Sequence, residues 1–256
     1  MLAKRTLFWV ISLFAVVGAA VWYLSLNSQK SRQPPPQAAA PESPAVRYPI
    51  EADKAPAEPL PALSESDSAM RDALATLFGK ELEKFFNLRD IIHRIVATID
   101  NLPRDSVPLR LMPVKPVPGL LVTTRAGDGL ALSPKNSARY NAYVRLAEAV
   151  PTATLMAVYR RFYPLFQEQY ENLGYPGKYF NDRLVEVVDH LLEAPDPHEP
   201  VLLNQPGVLY QFADLKLERL SPGQKILLRI GRENALKIKA KLREIRQALI
   251  SKAPSG

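Results

Sequence analysis

The chain has 256 residues, no cysteine and a hydrophobic fraction of 47%, enough for one or two domains with a sizeable core. Without cysteine, disulfides, thiolate metal sites and thiol catalysis are excluded. The formal net charge is +7, but Lys4, Arg5, Lys30 and Arg32 fall in the first 32 residues with no acidic residue beside them, leaving +3 for the rest. A mildly basic remainder lacks the field of a nucleic-acid binder.

Lys4 and Arg5 precede TLFWVISLFAVVGAAVWYLSL, which runs from Thr6 to Leu26 without a charge. About 20 apolar residues match a hydrocarbon core of ~30 Å, and Trp9, Trp22 and Tyr23 lie towards the ends, as interfacial aromatics do. The rival is a secretory signal cleaved at Val17-Gly18-Ala19, against which VWYLSL prolongs the apolar run beyond that point. The expectation is a single-pass anchor over 1–32, set in a bacterial inner membrane through 6–26. The flanking charges are nearly balanced and lean towards a cytoplasmic N-terminus, which places the C-terminal domain in the periplasm.

From Gln33 to Ala62 the chain holds nine prolines and no glycine. Such a segment buries too little apolar surface to offset its ordering entropy, so 33–62 reads as a disordered, PPII-biased tether. A helical domain is expected over 63–250 and a disordered tail over 251–256. Ser64 and Asp67 form a candidate capping box for a helix with Met70, Leu74, Leu77 and Phe78 on one face, stopped at Gly79. A second helix carries Leu88, Ile91, Ile92, Ile95, Val96 and Ile99, ending before Pro103. After a proline-rich loop, LLVTT and LALS flank RAGDG as a short β-hairpin.

Helices follow over NSARYNAYVRLAEAV, from Thr152 onwards, and over NDRLVEVVDHLLEA, with short strands at PVLLNQ and GVLYQF. In the Thr152 helix, Leu155, Tyr159, Phe162, Tyr163, Phe166, Tyr170 and Leu173 recur at helical spacing, so the aromatic run is core rather than a stacking platform. Pro164 predicts a kink or break, because it lacks the N–H that would bond the Arg160 carbonyl. Ser221-Pro222-Gly223-Gln224 then opens the last helix with an N-cap serine, proline at the first position and a capping-box glutamine. One apolar stripe continues through Leu227, Ile230, Gly231, Ala235, Ile238, Leu242, Ile245 and Leu249. The fold class expected is mainly α, with short β-hairpin elements.

RYNAYV, YRRFYPLFQEQYENLGYP, FNDRLVEVVDHLLEAP, LYQFAD and LERLSPGQKILLRIGRENALKIKAKLREIR together resemble the proteobacterial domain-of-unknown-function family numbered 3014. The resemblance covers roughly Leu63 to Leu249. It implies a membrane-anchored envelope domain and brings no catalytic residues with it.

The residues themselves offer no catalytic motif. His93, His190 and His198 form neither HExxH nor a close pair, and no phosphate-cradling loop, dinucleotide turn or nucleophile elbow occurs. No cofactor and no metal are expected. Asp182, Glu186, Asp189 and Glu193 share one helical stripe, read either as a solvated acidic face or as acid/base or cation chemistry. Lys225, Arg229, Arg232, Lys239, Arg243 and Arg246 form a basic stripe that pairs internally, is solvated, or meets an anionic partner.

The reading is a tethered, non-enzymatic binding or scaffold module for an envelope protein or cell-wall polymer. The alternative is a carboxylate-dependent wall hydrolase using residues among Asp182, Glu186, Asp189, Asp214 and Glu218. The partner-binding candidates are Arg139, Tyr140, Arg160, Arg161, Tyr163, Gln167, Asn181, Asp182, Arg183, Lys225 and Arg229. They are the polar margin of the aromatic helix, its neighbours and the basic stripe.

Overall fold

Helical periodicity accounts for most of the architecture. In the computed structural model, residues 45–50, 59–197 and 200–251 are described. The expected membrane span at 6–26, the first part of the tether, His198 and residues 252–256 lie outside them. Among the described residues no helix is long and apolar enough to cross a membrane.

The helices are α1 (Asp67–Phe78), α2 (Leu82–Phe85), α3 (Ile91–Asn101), α4 (Lys135–Ala149), α5 (Thr152–Asn172), α6 (Phe180–Leu192), α7 (Leu215–Glu218), α8 (Pro222–Arg229) and α9 (Arg232–Ile250). Four short strands, β1 (Thr123–Ala126), β2 (Gly129–Leu132), β3 (Leu202–Asn204) and β4 (Gln211–Phe212), form one antiparallel sheet in the order β1-β2-β3-β4. The hairpin is tight: Ala126 pairs with Gly129 across the turn. β2 reaches β3 only after α4, α5 and α6 have intervened, with Leu130 opposite Leu203.

The apolar stripes of α1, α3 and α5 meet around Met70, Leu74, Ile91, Ile92, Val96, Phe162, Leu165, Phe166 and Tyr170, with Phe180 closing the cluster. Each such side chain contributes about 1.5–3 kcal/mol when fully buried. A second cluster of Leu132, Val201, Leu203, Phe212 and Leu228 backs the sheet onto α8. The last helix, α9, packs against α4, α5 and α6. The aromatic run is core, as its spacing predicts: Phe162 is fully buried, and Phe166 stacks on Phe180 with ring centroids 5.8 Å apart.

Several local expectations are corrected. The Ser64–Asp67 capping box does not form; instead the Asp67 carboxylate accepts the N–H groups of Asp90 (2.8 Å) and Ile91 (3.1 Å) and caps α3 from across the chain. Asp90 takes the left-handed conformation there, with φ 51°, a conformation more accessible to Asp than to bulky residues. Pro164 does not break α5, which runs from Thr152 to Asn172. Pro164 lies on the exposed face, where water can satisfy the carbonyl that loses its donor.

The expected single last helix is two. Ser221 caps α8, its Oγ accepting the N–H of Gln224 at 3.2 Å. The Gln224 side chain does not reach back to complete the box but donates to the His190 carbonyl at 3.0 Å. Gly231 then breaks the run at φ 84°. A Cβ there would lie 1.9 Å from Ser137 Oγ, so both the turn and the close approach of α4 require glycine. Finally, Lys239 is not part of a solvated stripe. It is 7% exposed and its ammonium donates to the Ala194 carbonyl.

Candidate functional site

The site grows from the junction between α5 and α6. Gln167 of α5 receives the Phe180 N–H (2.8 Å) and the Tyr163 hydroxyl (3.2 Å) on its carbonyl, while its amide donates to the Lys178 carbonyl and to Glu171, each at 2.7 Å. One amide thereby ties the start of α6 to the middle of α5. The next residue, Asn181, is fully buried and accepts the Tyr159 hydroxyl at 3.1 Å. Asp182 and Arg183 follow on the first turn of α6.

Arg183 is held by Asp100, a residue from the end of α3 that sequence reasoning passed over. Arg183 Nε donates to the Asp100 carboxylate at 3.0 Å and a terminal nitrogen donates to its main-chain carbonyl at 2.8 Å. Arg104 (2.9 Å) and the Tyr175 hydroxyl (3.1 Å) complete the carboxylate's shell. The Asp100 side chain is 6% exposed, against 21% for Arg183 and 47% for Arg104. The signal was present in the sequence: Ile92, Val96 and Asp100 recur every fourth residue, so the carboxylate sits on an apolar stripe and needs a cationic partner.

Outside this pair opens a cleft of about 500 Å³, within the range of ligand pockets. Arg104, Tyr170, Tyr175, Lys178, Tyr179 and Glu186 line it together with Asp182 and Arg183. At one end lies part of the segment read as tether. The N–H groups of Arg47 (3.0 Å) and Tyr48 (2.8 Å) converge on the Asp182 carboxylate, and the Tyr48 carbonyl accepts the Asn181 amide at 2.8 Å. The Arg47 guanidinium pairs with Glu186. The Tyr48 ring packs on the cluster of Met156, Val185 and Leu249.

The predicted partner-binding residues therefore do not form one site. Asp182 and Arg183 line the cleft, with Tyr163, Gln167 and Asn181 in the bonding network behind it. Arg139 is elsewhere, donating to the carbonyls of Pro118 (3.1 Å) and Gly119 (2.6 Å) and to Asn136 Oδ1 (3.1 Å), which fixes the loop before β1. Tyr140 packs beside Ala194, Leu227 and Ile230. Arg161 lies over the Phe162 ring and Arg160 is half-buried along α5, neither lining the cleft. Lys225 pairs with Glu218 at 2.7 Å, and Arg229 lies over the Phe212 ring, 5.8 Å from its centroid.

The carboxylates weighed for hydrolysis are likewise engaged. Arg246 holds Asp189 with two bonds, Asp214 caps α7 by accepting the Lys216 N–H at 2.8 Å, and Glu218 accepts the Phe212 N–H at 2.8 Å. Burial alone would raise the Glu218 carboxyl, but Lys225 and that N–H hold it below the usual range. A histidine–serine contact, His190 to Ser221 at 2.8 Å, belongs to the α8 cap. Among the described residues no cluster of three metal-ligating side chains occurs.

The family model for a protein of unknown function, DUF3014, matches residues 91–246, more than half of the chain. The chain belongs to the DUF3014 family. No curated protein and no solved structure matches it. The matched stretch of the DUF3014 chain starts at the first residue of α3 and so takes in Asp100, the aromatic helix, the first turn of α6 and most of α9. Arg47 and Tyr48 lie outside it.

The phenols in and behind the cleft give the DUF3014 domain an alkaline signature. Burial pushes Tyr163 and Tyr170 up to about 12, and Tyr159 well above its ordinary value. An unfolded tyrosine ionises near pH ~10. From about pH 10 upwards the unfolded chain therefore releases protons that the folded one keeps, so the contribution of these phenols is level below that pH and stability falls from there towards pH 12. In an ultraviolet phenolate titration, these three tyrosines are expected to ionise only together with loss of the helical circular dichroism. Their ionisation while the helices persist would contradict the burial.

Proposed function

We propose that this DUF3014 protein is a membrane-tethered envelope module, with its helical domain on the periplasmic side, that binds a partner without catalysing a reaction. The observation that carries the reading is the cleft beside α6. It is open, it is lined by three tyrosines and by charges of both signs, and its Arg104 guanidinium is 47% exposed with donors to spare. Aromatic and arginine side chains at a concave surface are the groups that supply most binding energy in protein recognition. The hydrolase reading finds less support, since Asp182 and Asp189 of α6 and Asp214 and Glu218 at α7 are each held by structural donors. The apolar N-terminal segment supports the tether and the envelope location.

Photo-crosslinking tests the reading. A benzoylphenylalanine at Tyr179, which lines the cleft, is expected to capture an envelope protein or wall fragment in cells. The same group at Arg125, on the exposed β1, is expected not to. Equal adducts at both positions, or none at Tyr179, would end the proposal.

A further inference from the structure

We infer that the Asn181–Asp182 end of α6 is a recognition site for a peptide bent at a basic–aromatic pair, which the chain fills in cis with Arg47–Tyr48. The inference rests on the binding-module reading and names its partner: a protein segment of that chemistry, which enters when the cis segment leaves.

Three contacts recognise main chain alone. Two successive N–H groups chelate one carboxylate, which requires the backbone to turn at Arg47 and Tyr48, and both residues lie in a bend. The third is the Asn181 amide on the Tyr48 carbonyl. Because the Tyr159 hydroxyl anchors the Asn181 side chain from within the domain, its amide is aimed before any peptide arrives. Such preorganisation lowers the ordering cost of binding.

Two further contacts choose side chains. The ring of Tyr48 rests on Met156, Val185 and Leu249, flanked by Leu184 and Ile245, so an aromatic is preferred at that position. Glu186 and Asp182 face the preceding residue and select a cation.

The occupant is also built to leave. Val46 and Arg47 are exposed, and the main core of Met70, Ile92, Phe162 and Phe180 includes none of residues 45–50. A segment that lodges only one ring in an apolar cluster, with its other contacts polar, can be released with the domain intact. While bound it competes with any partner as an intramolecular ligand, at an effective concentration on the order of millimolar.

The test uses the full chain in detergent and a fluorescein-labelled synthetic peptide of residues 45–50, read by fluorescence polarisation. Tyr48→Ala, which loosens the cis copy, is expected to bind the peptide about tenfold or more tighter than wild type does. A peptide with alanine in place of its tyrosine is expected not to bind. Adding Asp182→Ala to the Tyr48→Ala chain is expected to abolish the gain.

Arg47→Glu provides a second route to release, since it places a like charge against Glu186 at an exposed position and spares the apolar cluster. Unchanged peptide affinity in both released chains, or binding indifferent to Asp182→Ala, overturns the inference. The two readings fail separately. Peptide binding with no crosslinked partner leaves the site and removes the module, whereas partner capture that survives Asp182→Ala leaves the module and removes this site.

Discussion

Replacing Asp100 with asparagine is expected to lower the unfolding free energy by about 3 kcal/mol, the low end of the loss when one partner of a buried ion pair is removed. The low end applies because both guanidinium groups keep some contact with solvent, Arg104 more than Arg183. Asparagine keeps the shape and one acceptor, so Arg183 Nε can retain a bond. The second oxygen becomes an amide nitrogen facing Arg104 and the Tyr175 hydroxyl, and the half-buried Arg183 loses its counter-charge. For a domain of this size the melting temperature should drop by about 6–12 °C. Urea unfolding followed by circular dichroism measures it; a loss below about 1 kcal/mol, the worth of an exposed pair, would show that water already screens the carboxylate.

Truncating Phe162 to alanine should cost still more, about 3–5 kcal/mol. The ring is fully buried where α1, α3 and α5 meet, within the cluster that contains Met70, Ile92 and Phe166. Neighbours drawn from three separate helices cannot all close on the void, so most of the cavity persists. The same denaturation experiment reads the loss. A cost near 1 kcal/mol would mean that the helices collapse into the space, and that the aromatic run is a more yielding core than its close packing indicates.

Local chemistry was legible wherever one stretch of chain decides it. Ser221 caps α8 and Phe162 and Phe166 are core because spacing and capping are properties of neighbours in sequence. The misreadings involve a distant partner. Asp67 looked like a cap for its own helix and serves α3 instead. The stripe through Gly231 continues with the right residue types on both sides, so periodicity cannot register that Ser137 presses on that glycine.

The cleft was half legible. Asp182 and Arg183 stood out as polar residues beside the aromatic helix, yet the partner of Arg183 is 83 residues away. Arg47–Tyr48 was hidden by its surroundings. Val46, Tyr48 and Ile50 are an apolar island in a proline-rich stretch, and composition averaged over the stretch erased it.

The order in which the chain is made gives α9 another consequence. This helix touches α4, α5, α6 and α8, and it is the last of the described helices to leave the ribosome. Until then Val185 and Met156 lack Leu249, which completes their cluster, and the nascent domain carries uncovered apolar surface. Closure of that cluster therefore waits for α9. A chain truncated before residue 232 would keep the cluster where α1, α3 and α5 meet but leave Met156 and Val185 uncovered, a substrate for chaperones and proteases.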